Sequence, residues 1–315
     1  VTPGVDADVP GPADAPDVVV VGDVMVDVLV EVQDARVHGS DTASRVSTAP
    51  GGSAANQAVW LARAGARVAL AAAVGADPLG AAARGALEAE GVDVASVVEA
   101  SGWTGTVVAL VEPDGERTML TDRGANRELT PAAASAAVDR LTGAGHVQVS
   151  GYVLLDEATR ATGVEALAAA ARHGATRSVD ASSTAPLLAA GPERFLALAE
   201  GAEWCFCNLA EGRLLTGERA PADVLRALGA RFPEVVVTLG DEGALALGVD
   251  GEVHRAAAPG PVADTVGAGD ALTASYLAAR LVGSSVEDAL ASGGAAARRA
   301  VATRGARGWS GYSRT

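Results

Sequence analysis

The apolar positions of this chain change period in a regular way. Asp17 to Gly22 (D-V-V-V-V-G) is an unbroken β-branched run, the pattern of a strand buried on both faces of a parallel sheet. Val24 to Val32 follows, with Asp27 and Glu31 set among valines, and reads as another strand. A helix of about three turns is expected after Gly51-Gly52. Beyond it Arg67 to Val74 reads as a strand, Pro78 to Glu90 as a helix and Val92 to Val98 as a short extended segment. Trp103 to Glu112 and Glu116 to Asp122 flank Pro113-Asp114-Gly115, a hairpin signature. A helix start stands at Thr130-Pro131. Further strands are expected at His146 to Ser150, Thr176 to Asp180, Glu203 to Cys207, Val235 to Leu239 and Ala244 to Gly248. Helices are expected at Glu157 to Arg172, Pro192 to Gly201, Leu209 to Thr216 and Ala220 to Phe232, with another after Asp270. Strands alternating with helices predict an α/β fold, one three-layer α/β/α domain over 17–315. The strands at about 24–48 and 103–122 interrupt that order and predict a small separate sheet, a β lid. Residues 1–16, rich in Pro, Asp, Ala and Gly, read as a disordered leader.

Two glycine loops feed helices. Asp264-Thr265-Val266-Gly267-Ala268-Gly269-Asp270 precedes an apolar run, and Gly51-Gly52-Ser53-Ala54-Ala55-Asn56-Gln57-Ala58 precedes Val59 to Gly65. A helix start presents unpaired N–H groups and the positive end of the dipole, which together favour an anion. A carboxylate fixed beside such a site is suited to deprotonate a hydroxyl while the loop stabilises a transferring phosphoryl group. Taken alone, G-x-G-D reads first as a strand-to-helix turn with Asp270 as a first-turn acid. Ser53 can cap its helix, and the Asn56 amide can both donate to and accept from a sugar hydroxyl. Asp27 lies just past the first strand, where open α/β sheets place ligand contacts. Asn208 and Glu211 lie one turn apart at a helix start, which suits a capping box or metal and phosphate work. Thr238-Leu239-Gly240 closes the next strand as a second loop able to approach a nucleotide.

Composition narrows the chemistry. All 24 basic residues are Arg; the chain contains no Lys. That excludes a Walker A loop, the strand lysine of protein kinases and Schiff-base chemistry. A net charge of −15 argues against nucleic acid or an anionic membrane surface as partner. No dinucleotide fingerprint follows the first strand, which disfavours a Rossmann dehydrogenase. Cys205 and Cys207 are the only cysteines and read as buried thiols in a reducing compartment. The four histidines show no metal-ligand spacing. No secretory or membrane-length apolar run is found, so a cytoplasmic location is expected.

Together the Gly51–Ala58 and Asp264–Asp270 signatures, Asp27, Asn208-x-x-Glu211 and Thr238-Leu239-Gly240 resemble, in order and spacing, the ribokinase-like (PfkB-type) carbohydrate kinases, from about Val18 to Gly308. The resemblance implies a ribokinase-like fold and ATP-dependent phosphorylation of a primary hydroxyl on a sugar or sugar-like molecule. By it Asp270 is the general base and Gly267, Ala268 and Gly269 form the anion hole. Asp27, Gly51, Gly52 and Asn56 hold sugar hydroxyls. Asn208 and Glu211 position hydrated Mg2+ and the phosphates, and Thr238, Gly240 and Gly294 border the nucleotide. Asp264 and Val266 stand beside the segment Ala300 to Gly305, which aligns with a monovalent-cation loop, so K+ is compatible; Asp264 otherwise braces the loop. Ser53 departs from the Lys of several ribokinases, and Gly294 from a polar residue. Arg123 lies where relatives acting on sugar acids place a cation; the alternative is a solvated Arg pairing with Asp122 or Glu128. The default substrate is a free pentose, hexose or nucleoside, and a silent sugar or nucleotide sensor is the competing class. Lid strands exposing Val28, Val30, Val107 and Ala109 suggest a homodimer through the lid.

Overall fold

The valine run is a central strand. The computed structural model describes residues 15, 17–34, 38–112, 117–256, 263–302 and 305–307; residues 1–14 and 16 of the expected leader and the Pro113-Asp114-Gly115 turn lie outside the described residues. In chain order the strands are β1 (Asp17–Val21), β2 (Met25–Val32), β3 (Ser44–Gly51), β4 (Arg67–Gly75), β5 (Val97–Ala100), β6 (Thr106–Val111), β7 (Arg117–Asp122), β8 (His146–Val149), β9 (Thr176–Asp180), β10 (Trp204–Asn208), β11 (Glu234–Thr238), β12 (Ala244–Leu247) and β13 (Val253–Ala256). The helices are α1 (Ser53–Arg63), α2 (Pro78–Ala89), α3 (Pro131–Val138), α4 (Gly151–Leu155), α5 (Arg160–His173), α6 (Thr184–Ala190), α7 (Pro192–Leu198), α8 (Leu209–Thr216), α9 (Pro221–Gly229), α10 (Ala268–Leu281) and α11 (Val286–Val301).

Among the described residues nine strands form the large sheet in the order β13-β12-β11-β10-β9-β8-β1-β4-β5, all running one way except β12, which is antiparallel to both its neighbours. Val19 and Val21 face one apolar layer, with α3, α5 and α9; Val18 and Val20 face the other, with α1, α10 and α11. That division is why the run needs no polar residue. Cys205 and Cys207 share one face of β10 and are buried, while Phe206 between them points into the opposite layer. A second sheet, β3-β2-β6-β7, stands apart from the layers, as the interrupted alternation predicts.

Several boundaries differ from the sequence pattern. Val92 to Val98 is not one extended segment: Asp93 bridges Ala69, its carboxylate then accepts from Ala95 N–H at 2.8 Å, and the chain turns before β5. The helix expected from Glu157 begins at Arg160, because Asp156 to Thr159 form a turn. Val28, Val30, Val107 and Ala109 are half-buried, since β2 and β6 are the middle strands of their sheet. Among the described residues of this small sheet the exposed large apolar side chains are Val46 on β3 and Met119 and Leu120 on β7. Among the described residues no helix is long and apolar enough to cross a membrane.

Candidate active site

β1 ends at Val21, and beyond Gly22 the carboxylate of buried Asp23 accepts from the N–H groups of Ser53 (3.3 Å) and Ala54 (3.4 Å). Asp23 therefore caps α1, a role expected of Ser53. The chain can make this turn because Gly52 has φ 91°, and a Cβ there would lie 2.6 Å from the Asp23 carbonyl. Ser53 is released to donate its hydroxyl to Asp270 Oδ1 at 2.7 Å. Asn56 donates from Nδ2 to Asp270 Oδ2 at 3.0 Å, and Gln57 from Nε2 to Oδ1 at 3.3 Å.

Asp270 is presented by the second glycine loop. Gly267, at φ 76°, is the N-cap of α10, and a Cβ there would press on Ala306 at 2.5 Å. Ala268, Gly269 and Asp270 occupy the first turn, whose N–H groups have no intrahelical acceptor. Asp264 braces the loop: Oδ1 accepts from Val266 N–H and Oδ2 from Gly305 N–H, both at 3.2 Å. Burial pushes the Asp270 carboxyl up to about 7, opposed by the hydrogen bonds from Ser53 and Asn56 and reinforced by the nearby Asp180.

A cleft of about 470 Å3 opens over these groups, walled by Ser53, Gln57, Ala268, Gly269 and Asp270 on one side and Asn208, Glu211, Thr238 and Gly240 on the other. Both signatures thus meet in one cavity although they are more than 200 residues apart in sequence. Asn208 and Glu211 complete a reciprocal capping box at α8: Asn208 Oδ1 accepts from Glu211 N–H, and Glu211 Oε2 from Asn208 N–H, each at 2.9 Å. Capping does not withdraw Glu211 from the cleft wall, where burial raises its carboxyl to about 7.

Asp27, on β2, lies directly over Gly51, where a Cβ would come within 2.4 Å of its carboxylate. Burial raises the Asp27 carboxyl to about 6, against the pull of the Arg307 guanidinium. Gly294 does not line the cleft; it sits on α11, with the Ala256 methyl 3.6 Å from where its own Cβ would be. Arg123 also stands outside the cleft wall. It pairs with neither Asp122 nor Glu128, which cap Gly124 and the Ser101–Gly102 turn. Instead its Nε lies 3.2 Å from Asp156 Oδ2 and its guanidinium stacks on Tyr152, 5.2 Å from the ring centre. The Nε and Nη2 donors of Arg123 make no aligned hydrogen bond.

Four participants escaped the sequence reading: Gln57, Asp180, Ser182 and Arg307. Gln57 lies one turn beyond Ser53 inside the quoted motif, so its position was legible. Asp180 ends β9, the edge where a parallel sheet places ligand groups. Its carboxylate accepts from Gln57 Nε2 and Gln148 Nε2 at 3.0 Å and from Ser182 Oγ. Ser182 is the one non-glycine at positive φ (62°) among the described residues. Such backbone strain persists where surroundings hold it, and here its hydroxyl holds Asp180 and accepts from Tyr152 N–H. Arg307 carried no signal in its local sequence. Away from the cleft, exposed Asp250 and Glu252 and half-buried His254 place potential ligand atoms within 4.8 Å of one another, a spacing the scattered histidines did not suggest.

The description "pfkB family carbohydrate kinase" belongs to a sequence family that matches residues 15–310. The chain is 32% identical over 267 residues to the 2-dehydro-3-deoxygluconokinase of Bacillus subtilis (strain 168), covering 82% of each chain. It is 27% identical over 282 residues to the ribokinase of the same strain, covering 89% of this chain and 91% of the relative. The crystal structure of adenosine kinase from Sinorhizobium meliloti superposes with a TM-score of 0.81 at 26% identity, over 93% of this chain and 95% of that one.

Proposed function

The chain belongs to the pfkB family of carbohydrate kinases, and from that premise we propose that Asp270 is the base that activates a primary hydroxyl of a sugar or sugar-like substrate for attack on the γ-phosphate of ATP. The observation that carries this reading is one carboxylate, held by Ser53 and Asn56, at the N-terminus of α10 on the wall of the cleft. The hydroxyl oxygen forms the new bond to phosphorus, the bond to the β–γ bridging oxygen breaks, the proton passes to Asp270, and ADP leaves. Charge that builds on the transferring group meets the N–H groups of Gly267, Ala268 and Gly269 and the dipole of α10. Asp27, Gly51, Gly52 and Asn56 hold the sugar end; Asn208, Thr238 and Gly240 border the nucleotide.

The donor set fits a hydrated Mg2+. Both Glu211 oxygens already accept hydrogen bonds from Asn208, which leaves the carboxylate able to orient water but poorly placed to bind metal directly. A bound Mg2+ would neutralise phosphate charge at this wall. Asp264 is occupied as a brace, so a K+ beside Val266 would rely on backbone carbonyls. Two buried free thiols support a cytoplasmic site.

The test is ADP release with pentoses, hexoses, their phosphates, sugar acids and nucleosides; no release with any of them, from folded protein that binds ATP, would favour a silent sensor. One observation favours a sugar acid within this class. Arg123 and Arg127 share the single carboxylate of Asp156, at 3.2 and 3.4 Å, leaving one positive charge in excess beside Tyr152. On this reading Arg123→Ala lowers kcat/KM for a sugar acid by about tenfold to a hundredfold, the value of a charged hydrogen bond, and leaves that for a neutral sugar unchanged. Equal effects on both would remove the assignment. Val46, Met119 and Leu120 offer the lid sheet for self-association; light scattering should give a dimer, and a monomer at micromolar concentration would count against it.

A further inference from the structure

The turn Gly305–Arg307 touches both glycine loops. Gly305 N–H donates to Asp264 at the phosphate loop, and Ala306 fills the space against Gly267. On the sugar side Trp60 Nε1 donates to the Ala306 carbonyl at 3.2 Å, and Arg63 donates to that of Arg307. The Arg307 side chain, 4% exposed, runs inward. Its Nε donates to Asn56 Oδ1 at 2.9 Å and its Nη2 to the Gly51 carbonyl at 3.2 Å. No carboxylate among the described residues forms an ion pair with it at contact distance; Glu90, then Asp27 and Asp270, act on it from further away.

The two contacts of Asn56 settle which way its amide points. A guanidinium has donors only, so the atom facing Arg307 must be oxygen. The NH2 group is then forced toward Asp270 Oδ2, where an ionised carboxylate accepts it. A flipped amide would set donor against donor at one end and acceptor against acceptor at the other. The geometry points to Arg307 as a positioning residue that keys the Asn56 amide, so that its NH2 steadies the Asp270 carboxylate and leaves the remaining lone pairs of that carboxylate to the substrate hydroxyl. This inference rests on the reading of Asp270 as the base. Asp270 is also faced by Ser53 and Gln57 of α1, Asp180 of β9 and Tyr152 of α4. None of these contacts Asn56 Oδ1, so at the oxygen end of that amide Arg307 is the group that fixes its orientation, in register with what the ionised Asp270 demands at the other end.

The test is a carboxyl 13C NMR titration of Asp270, its resonance identified by its loss in Asp270→Asn, together with kinetics on D-ribose, D-fructose, 2-dehydro-3-deoxygluconate and adenosine with MgATP. Arg307→Met should raise the Asp270 midpoint by about half a pH unit or more, through loss of the oriented donor and of nearby positive charge. It should lower kcat about tenfold to a hundredfold with the KM for ATP unchanged, and Arg307→Lys should restore part of both. Asn56→Leu should shift the midpoint similarly, and the double variant should shift it no further. An unmoved midpoint in folded Arg307→Met, or additive shifts in the double variant, would overturn the inference. If Arg307→Met does not fold, Arg307→Gln carries the same expectation. Activity retained by Asp270→Asn would defeat the base assignment instead, and an inactive Asp270→Asn beside an unshifted Arg307→Met would defeat this inference alone.

Discussion

Asp270→Asn should reduce kcat by about 10^3-fold, within the range a positioned general base supplies, while substrate and ATP affinities stay within about threefold. Asn preserves the size and the acceptor oxygen of Asp, so the hydrogen bonds from Ser53 and Asn56 are perturbed less than by Ala. The wild-type pH profile carries a matching signature. Only the carboxylate accepts the proton, and burial places its titration near 7. Turnover should therefore fall about tenfold per pH unit below neutrality and level off above it. Glu211 titrates in the same range; on the proposed reading it stands at the nucleotide wall, so its protonation should appear in the KM for MgATP. A kcat independent of pH from 5 to 8, or an Asp270→Asn variant within tenfold of wild type, would remove Asp270 from its role.

The second large effect concerns the other end of the same helix. Arg280, in the last turn of α10, forms a bidentate pair with Glu234 at the start of β11, with Nε to Oε1 and Nη2 to Oε2 both at 2.9 Å. Tyr276 Oη donates to the same carboxylate, which is 1% exposed. Arg280→Met would leave Glu234 buried with one neutral donor. Breaking such a pair from one side costs about 3 to 5 kcal/mol; with Arg280 partly exposed, about 3 kcal/mol is expected, or a Tm lower by roughly 6 to 12 °C. Glu234→Gln added to Arg280→Met should recover much of that loss, because no uncompensated charge then remains. Denaturant unfolding of the two variants decides it: a loss under about 1 kcal/mol for Arg280→Met would show that the pair is not what anchors the helix. Activity per folded molecule should change little, since Glu234 lies at the end of β11 opposite the cleft residue Thr238.

What could be read from sequence was whatever a local pattern encodes. The Val18–Val21 run gave away a doubly covered strand, and the two glycine loops gave away helix starts. Local patterns also misled where two roles competed for one residue. Ser53 looked like a cap until Asp23, thirty residues earlier, was seen to take that role. Helix α6 was overlooked because Pro186 sits in its first turn, which helices tolerate. Helix α11 was overlooked because Gly293 and Gly294 interrupt its alanines, although Ser285 caps it in the ordinary way. The partners of Arg123 and Arg307 were not legible at all. Asp156 and Asn56 reach them only through the tertiary arrangement, so no spacing rule connects them.

The carboxyls in and beside the cleft make activity and stability pull in opposite directions. Asp27, Glu211 and Asp270 all titrate above their ordinary range, at about 6, 7 and 7, and Asp180 is raised as well. Between about pH 4 and pH 7 the unfolded chain has released protons that the folded protein still holds, so unfolding becomes easier as pH rises through that window. The ionised, active form is then the less stable one. The same Asp270→Asn change that stops turnover should raise Tm at pH 8 by about 2 to 4 °C, and the gain should fade toward pH 5. Thermal tolerance at alkaline pH is in this sense limited by the proposed base itself.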